Sequence, residues 1–160
     1  MNDATLEARI AGFLHAHHVV SLATSDQGAV HAASVMYAPD GFDLYWMSDP
    51  KSRHSQHLER SSAVAATIAP DYTDFPEIRG LQIAGTAARL GQAQEAAYAR
   101  ALMLQRYAFL RELAAAPEAL RQAFETGAFY RLRPQTITLI DNSRGFGQKE
   151  TLVVQHNPAG

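Results

Sequence analysis

The sequence predicts a mainly-β α+β domain: six short antiparallel strands closing a small barrel, with helices at its periphery. Three observations lead there. Apolar and β-branched runs over residues 18–24, 29–37 and 42–48 are separated by the Gly-containing turns 25–28 and 38–41, the pattern of consecutive hairpins in a meander. Helical periodicity then interrupts the strands at a few places instead of following each one. No internal repeat, low-complexity segment or linker divides the chain, so residues 1–160 read as one domain.

Residues 2–17 are expected to form a helix. Leu6, Ile10, Phe13 and Leu14 share one face, Asp3 or Thr5 caps it, and Glu7 lies in its early turns. After the three meander strands, Asp49 is a good N-cap and Pro50 suits the first helical position, so a short helix is placed over 50–59. A fourth strand occupies 62–68, and the Pro- and Asp-containing stretch 69–76 is a loop. The fifth strand, 78–90, contains Gly80 and Gly85, each marking a bulge or a close backbone approach. Residues 92–113 read as one long helix with Tyr98, Leu102, Gln105 and Phe109 roughly on a stripe. Tyr98, Tyr107 and Phe109 are read as core or dimer packing. Pro117 opens another helix that stops near Gly127. The sixth strand is 128–141, and 142–150 is a polar glycine loop.

Composition excludes several chemistries. The net charge of −2 gives no basic field for nucleic acid or an anionic membrane. With no Cys there is no disulfide, thiolate metal site or cysteine nucleophile. No apolar run approaches the roughly 20 residues that span a bilayer, and the N-terminus lacks a leader pattern; a cytoplasmic protein is expected. The hydrolase pattern Gly-x-Ser-x-Gly is missing. Gly145-Phe146-Gly147 lacks the full dinucleotide fingerprint. His15, His17 and His18 complement the end of the first helix, and their spacing does not make a metal site; no metal is expected. His54 and His57, one turn apart, read as a solvated pair, and His31 as a rim residue.

The richest chemistry lies in Tyr45-Trp46-Met47-Ser48-Asp49-Pro50-Lys51-Ser52-Arg53-His54. Cations here crowd a helix start, where the dipole disfavours them but where free backbone N–H groups already attract an anion. A phosphate held by Lys51, Ser52, Arg53 and His54 accounts for that choice.

These pieces resemble the pyridoxamine 5′-phosphate oxidase-like, FMN-binding split barrels over roughly residues 19–90. The resemblance rests on Phe42-Asp43-Leu44-Tyr45-Trp46-Met47-Ser48 followed by Ser52-Arg53-His54 and Leu58, and on Ile78-Arg79-Gly80-Leu81-Gln82-Ile83-Ala84-Gly85-Thr86-Ala87. A small uncharacterised branch is closer still, through Lys51-Ser52-Arg53-His54 and the tail Asp141-Asn142-Ser143-Arg144-Gly145-Phe146-Gly147. The resemblance implies a six-stranded antiparallel split β-barrel and a homodimer with a flavin site at each end of the subunit interface. It implies that Met47 and Ser48 contact FMN, that Arg53 and His54 hold its phosphate, and that Ala32, Ala33, Ser34, Val35 and Met36 offer backbone to the ring edge. The function implied is an FMN-dependent oxidoreductase acting on an unidentified small molecule. The alternatives are a flavin- or haem-binding dimer without turnover, with His54 or His31 as a haem ligand, or a split barrel with an empty cofactor site.

Three departures stand out. His54 occupies a lysine position of the oxidases, and Gly80 aligns with a phosphate-contacting glutamine that Gln82 can replace. Residues 148–160 lack the oxidases' terminal Trp, Arg and His. Beside a phosphate His54 is expected to gain proton affinity, giving an FMN affinity that peaks near neutral pH. The glycine tail is expected either to lid the flavin, with Phe146 as cover and Lys149 near the ring, or to pin the partner subunit.

Overall fold

A computed structural model describes residues 3–157. The first helix, α1 (Leu6–Ala16), starts where Thr5 accepts the Ala8 N–H at 3.2 Å, so Thr5 is the cap; Asn2 lies outside the described residues. Its buried Ile10 and Leu14 turn toward the sheet. The strands are β1 (Val19–Asp26), β2 (Ala29–Met36), β3 (Ala38–Asp40), β4 (Asp43–Ser48), β5 (Ala63–Ile68), β6 (Arg79–Arg89), β7 (Ala128–Asp141) and β8 (Lys149–Val153). All pairings are antiparallel, in the order β2-β1-β5-β6-β7-β4-β3, and β8 adds to β7. The sheet curls until β2 and β4 approach one another. Among the described residues no helix is long and apolar enough to cross a membrane.

The sheet therefore has eight strands rather than six. Ala38-Pro39-Asp40, read as a turn, is the short strand β3 paired with β4, and the tail supplies β8. Both escape a periodicity reading for the same reason: β3 is three residues long, and β8 has no fully buried position. Nor do the first three predicted strands form one meander. β1 and β2 make a hairpin, but the next long strand, β4, pairs with β7. β7 is the spine: β6 lies along one edge, while β4 and β8 share the other, against residues 128–132 and 136–140 respectively.

Inside the curl, Trp46 is fully buried and stacks on Tyr130 at 5.7 Å among Leu22, Leu44, Leu132 and Ile137. Each such side chain contributes about 1.5–3 kcal/mol by leaving water. A second core forms outside β4 and β7, where α3 (Ala93–Arg106), α4 (Ala108–Arg111) and α5 (Glu118–Thr126) pack Ala99, Met103, Leu110 and Phe124 onto Tyr45 and Phe129. The predicted single helix 92–113 is broken at Tyr107, whose backbone is extended (φ −115°, ψ 107°). Its buried hydroxyl sits between the carbonyls of Tyr37 and His18, and that requirement for an acceptor outweighs continued helix. Tyr98 and Phe109 are exposed, so the buried stripe is Ala99, Met103, Tyr107 and Leu110.

Gly85 marks the register shift between β6 and β7, as its place in the strand predicts. A Cβ there would lie 2.3 Å from the Arg133 carbonyl oxygen, a backbone atom that cannot swing away. Gly85→Ala is expected to lower stability by about 2 kcal/mol or more, read from the urea midpoint of the fluorescence of the single tryptophan, Trp46. An unchanged midpoint would show that the bulge gives way freely.

Candidate functional site

The turn after β4 is built from local hydrogen bonds. The Lys51 N–H donates to Asp49 Oδ1 at 2.8 Å, and the Ser52 N–H to the Asp49 carbonyl at 3.0 Å. Helix α2 (Arg53–Arg60) begins three residues later than the sequence predicts. Asp49 and Pro50 belong to the turn, and Ser52 is the N-cap. Yet the Ser52 hydroxyl does not cap: it lies 2.8 Å from the Asp49 carbonyl oxygen and 2.7 Å from the Ser55 hydroxyl. The first N–H groups of α2 thus have no side-chain acceptor.

Two sides of this helix start differ. Lys51 and Arg53 are exposed, and neither forms an ion pair among the described residues. His54, Ser55, His57 and Leu58 are buried. His54 Nε2 lies 2.8 Å from the Ser48 hydroxyl and 3.3 Å from that of Ser52. His57 Nδ1 lies 3.0 Å from Thr24 Oγ1. His31, opposite Thr24 on β2, sits between them: its ring stacks parallel to His54 at 6.5 Å and edge-on to His57 at 6.1 Å.

The pair His54 and His57 is therefore buried, not solvated as the sequence reading has it. An amphipathic helix closing the barrel mouth hides one face, and that face carries the imidazoles. His31 is half-buried, in keeping with a rim position. His57 and Thr24 were missed; the only signal is the i, i+3 spacing of His54 and His57 with Leu58 beside them. Among the described residues no group of three His, Asp or Glu side chains is arranged to hold a metal ion.

Ser48, Ser52 and His54 are brought together, with Lys51 and Arg53 at the adjoining surface. Met47 points to the opposite face of β4 and packs against the outer core and Gly127. On β2, Ala33 and Val35 lie opposite the buried Leu22 and Val20 and face inward, so only their backbone is available. Ala32, Ser34 and Met36 face outward, and Ser34 Oγ lies 3.2 Å from Ser21 Oγ. β2 ends the strand order, leaving one backbone edge without a partner strand. Gln82 is exposed on the same outer face, and Gly80 is buried 3.1 Å (as Cβ) from the Ile68 carbonyl. In the tail, exposed Phe146 stacks on Phe75 at 4.9 Å, and Lys149 is drawn into β8.

Burial, followed by the neighbouring His31 and His57, holds the His54 imidazole below its ordinary value. That is opposite to the gain expected beside a phosphate, because the chain itself surrounds His54 with imidazoles and hydroxyls and no anion.

A curled antiparallel half-barrel with a free helix N-terminus at its mouth is the architecture of the split-barrel proteins. Residues 6–141 match the family described as pyridoxamine 5′-phosphate oxidase, and the chain belongs to that family. The UPF0306 protein YhbP of Salmonella paratyphi A is 30% identical over 142 residues, which are 88% of this chain and 88% of YhbP. Among solved structures, a haem-binding protein from Mycobacterium smegmatis shares the fold at a TM-score of 0.73 and 21% identity, over 95% of this chain and 60% of that one. An FAD-binding protein from Mesorhizobium loti does so at 0.65 and 15%, over 84% and 94%.

A histidine whose folded-state value is depressed is protonated more readily in the unfolded chain. Its contribution to stability is intact above the ordinary histidine value of 6.5 and is lost as pH falls from there through the depressed folded-state value. The thermal midpoint is expected to drop as pH falls below about 6.5, and His54→Gln to shallow the slope. An equal slope in the variant would show that His54 is not the titrating group.

Proposed function

We propose that the protein is a flavin-binding homodimer that serves as an FMN-dependent oxidoreductase for a small molecule. The observation that carries this is the start of α2. There, N–H groups without a side-chain cap, the cations Lys51 and Arg53, unpaired among the described residues, and the half-buried hydroxyls of Ser48 and Ser52 meet beside β2, at the end of the strand order. This donor set suits a phosphate: Arg53 offers a fork, the N–H groups a cradle, and Lys51 added charge. His54, with Nε2 engaged by Ser48, supports the turn from beneath and responds to the charge placed above it. Bound FMN supplies the electron- and hydride-transfer chemistry, while the chain binds and orients it. Family membership supports the flavin, as does an FAD-binding relative of the same fold.

The homodimer is supported by the outer face of the sheet. Ser21, Ala23, Ala32, Ser34, Ala65, Thr67, Gln82 and Ala84 form a contiguous grid on β1, β2, β5 and β6, all exposed and none charged. Short uncharged side chains let a second copy's sheet approach closely, and a two-fold axis makes such a face its own complement. Ser34 belongs both to this grid and to the strand proposed to flank the flavin, so dimer and cofactor share an edge.

Haem is the second reading. His31 is half-buried and makes no hydrogen bond among the described residues, and a relative of this fold binds haem. A Soret band in the purified protein, in place of flavin absorbance, would favour it.

Titration of cofactor-free protein with FMN and with riboflavin, which lacks the phosphate, tests the first reading. FMN is expected to bind more tightly. Arg53→Gln is expected to weaken FMN about tenfold, the equivalent of about 1.5 kcal/mol for one charge-assisted hydrogen bond at an exposed position, without affecting riboflavin. Equal affinities for the two ligands would remove the phosphate from the site. In calorimetry near neutral pH, FMN binding is expected to take up protons, seen as a heat that varies with buffer ionisation. His54→Gln is expected to reduce that uptake. Ala65→Arg, in the centre of the grid, is expected to give monomers in light scattering.

A further inference from the structure

The chain just beyond the C-terminal end of α2 borders a different feature. A cleft of about 240 Å³ is lined by Ser62, Thr86, Arg89, Glu95, Arg131 and Arg133. Arg131 and Arg133 face Ala88 and Thr86 across two paired strands, and Arg89, opposite Tyr130, ends β6. Alternation along Arg131-Leu132-Arg133 buries Leu132 and sends both guanidinium groups to the outer side.

The protein only partly neutralises this charge. Arg9, Arg60, Arg79 and Arg144 each pair with a carboxylate, whereas Arg89, Arg131 and Arg133 form no ion pair among the described residues. Arg133 Nε is enclosed without a hydrogen-bond partner, and Nη2 reaches only His156 Nδ1 at 3.4 Å. Glu95 of α3 is the one acidic side chain in the lining. On β4, Asp43 opposes Asp40 and borders Arg133, Arg131 and His156. Burial raises its carboxyl above the ordinary value against the pull of these cations. A neighbouring cleft of about 210 Å³ shares Arg131 and Glu95 and adds Tyr45 and Tyr98.

We propose that the Arg89–Arg131–Arg133 cleft is a second ligand site that takes a small polyanion bearing phosphate or carboxylate groups. Guanidinium forks match the paired oxygens of either group, and hydroxyls of Ser62 and Thr86 stand beside them. The site lies apart from the α2 N-terminus and stands or falls independently of the flavin reading.

Isothermal titration of the full-length protein with inorganic pyrophosphate, and separately with citrate, distinguishes the two sources. Saturable binding of pyrophosphate alone assigns phosphate, and of citrate alone assigns carboxylate. The combined Arg131→Gln and Arg133→Gln variant is expected to weaken binding about tenfold or more, two charge-assisted contacts being lost. Arg53→Gln is expected to leave it unchanged. Arg89 is exposed, so Arg89→Gln keeps the fold and is expected to weaken binding severalfold; if the double variant loses its folded circular dichroism, Arg89→Gln decides alone. No saturable binding at millimolar concentrations, binding indifferent to Arg89→Gln, or binding lost only in Arg53→Gln would overturn the second site.

Discussion

The placement of α2 depends on satisfying polar groups in a place that water barely reaches. Ser48 holds His54 at 2.8 Å, and Thr24 holds His57 at 3.0 Å. An unsatisfied imidazole in the barrel mouth would cost about 1–3 kcal/mol, so the helix can seat in few positions. That seat fixes the rest. Once His54 and His57 point inward, Arg53 must point outward, since residues a turn apart share a face and their neighbours do not, while the first N–H groups of α2 point along its axis out of the N-terminus. The exposed guanidinium of the helix start is thus a by-product of hydrogen bonding beneath it.

The same geometry ties charge and protonation together. The chain keeps His54 neutral by burying it against two other imidazoles. A dianion placed over the helix start acts in the opposite sense. The hydroxyls of Ser48 and Ser52 can follow a change in protonation, donating to an unprotonated Nε2 or accepting from a protonated one. A histidine at this position makes the charge conditional.

Much of the fold was legible because it follows from repeating patterns. The alternation in β1 and β5, the Gly-containing hairpin turn before β2 and the bulge at Gly85 all leave local signals. What was hidden depends on distant partners. β3 exists because β4 lies beside it, and β8 because β7 does. The break at Tyr107 exists because carbonyls some 70 to 90 residues earlier in the chain accept its hydroxyl. At the candidate site the residue types were readable and the orientations were not. Met47 and Ser48 are neighbours in sequence yet face opposite cores, and Thr24 meets His57 across 33 residues. Arg131 and Arg133 carry no local signal, and only the register sets them beside Ala88 and Thr86.

The spine strand has a consequence for how the molecule is made. β7 pairs Asp141 with Arg79 and Leu132 with Leu44, contacts of large sequence separation that close slowly. During synthesis, β1, β2, β5 and β6 emerge first and can pair, but their apolar side stays uncovered until β7 leaves the ribosome. For that interval the nascent chain offers a half-sheet with a bare backbone margin and few charges to repel neighbours, the circumstance in which chaperone capture competes with misassembly.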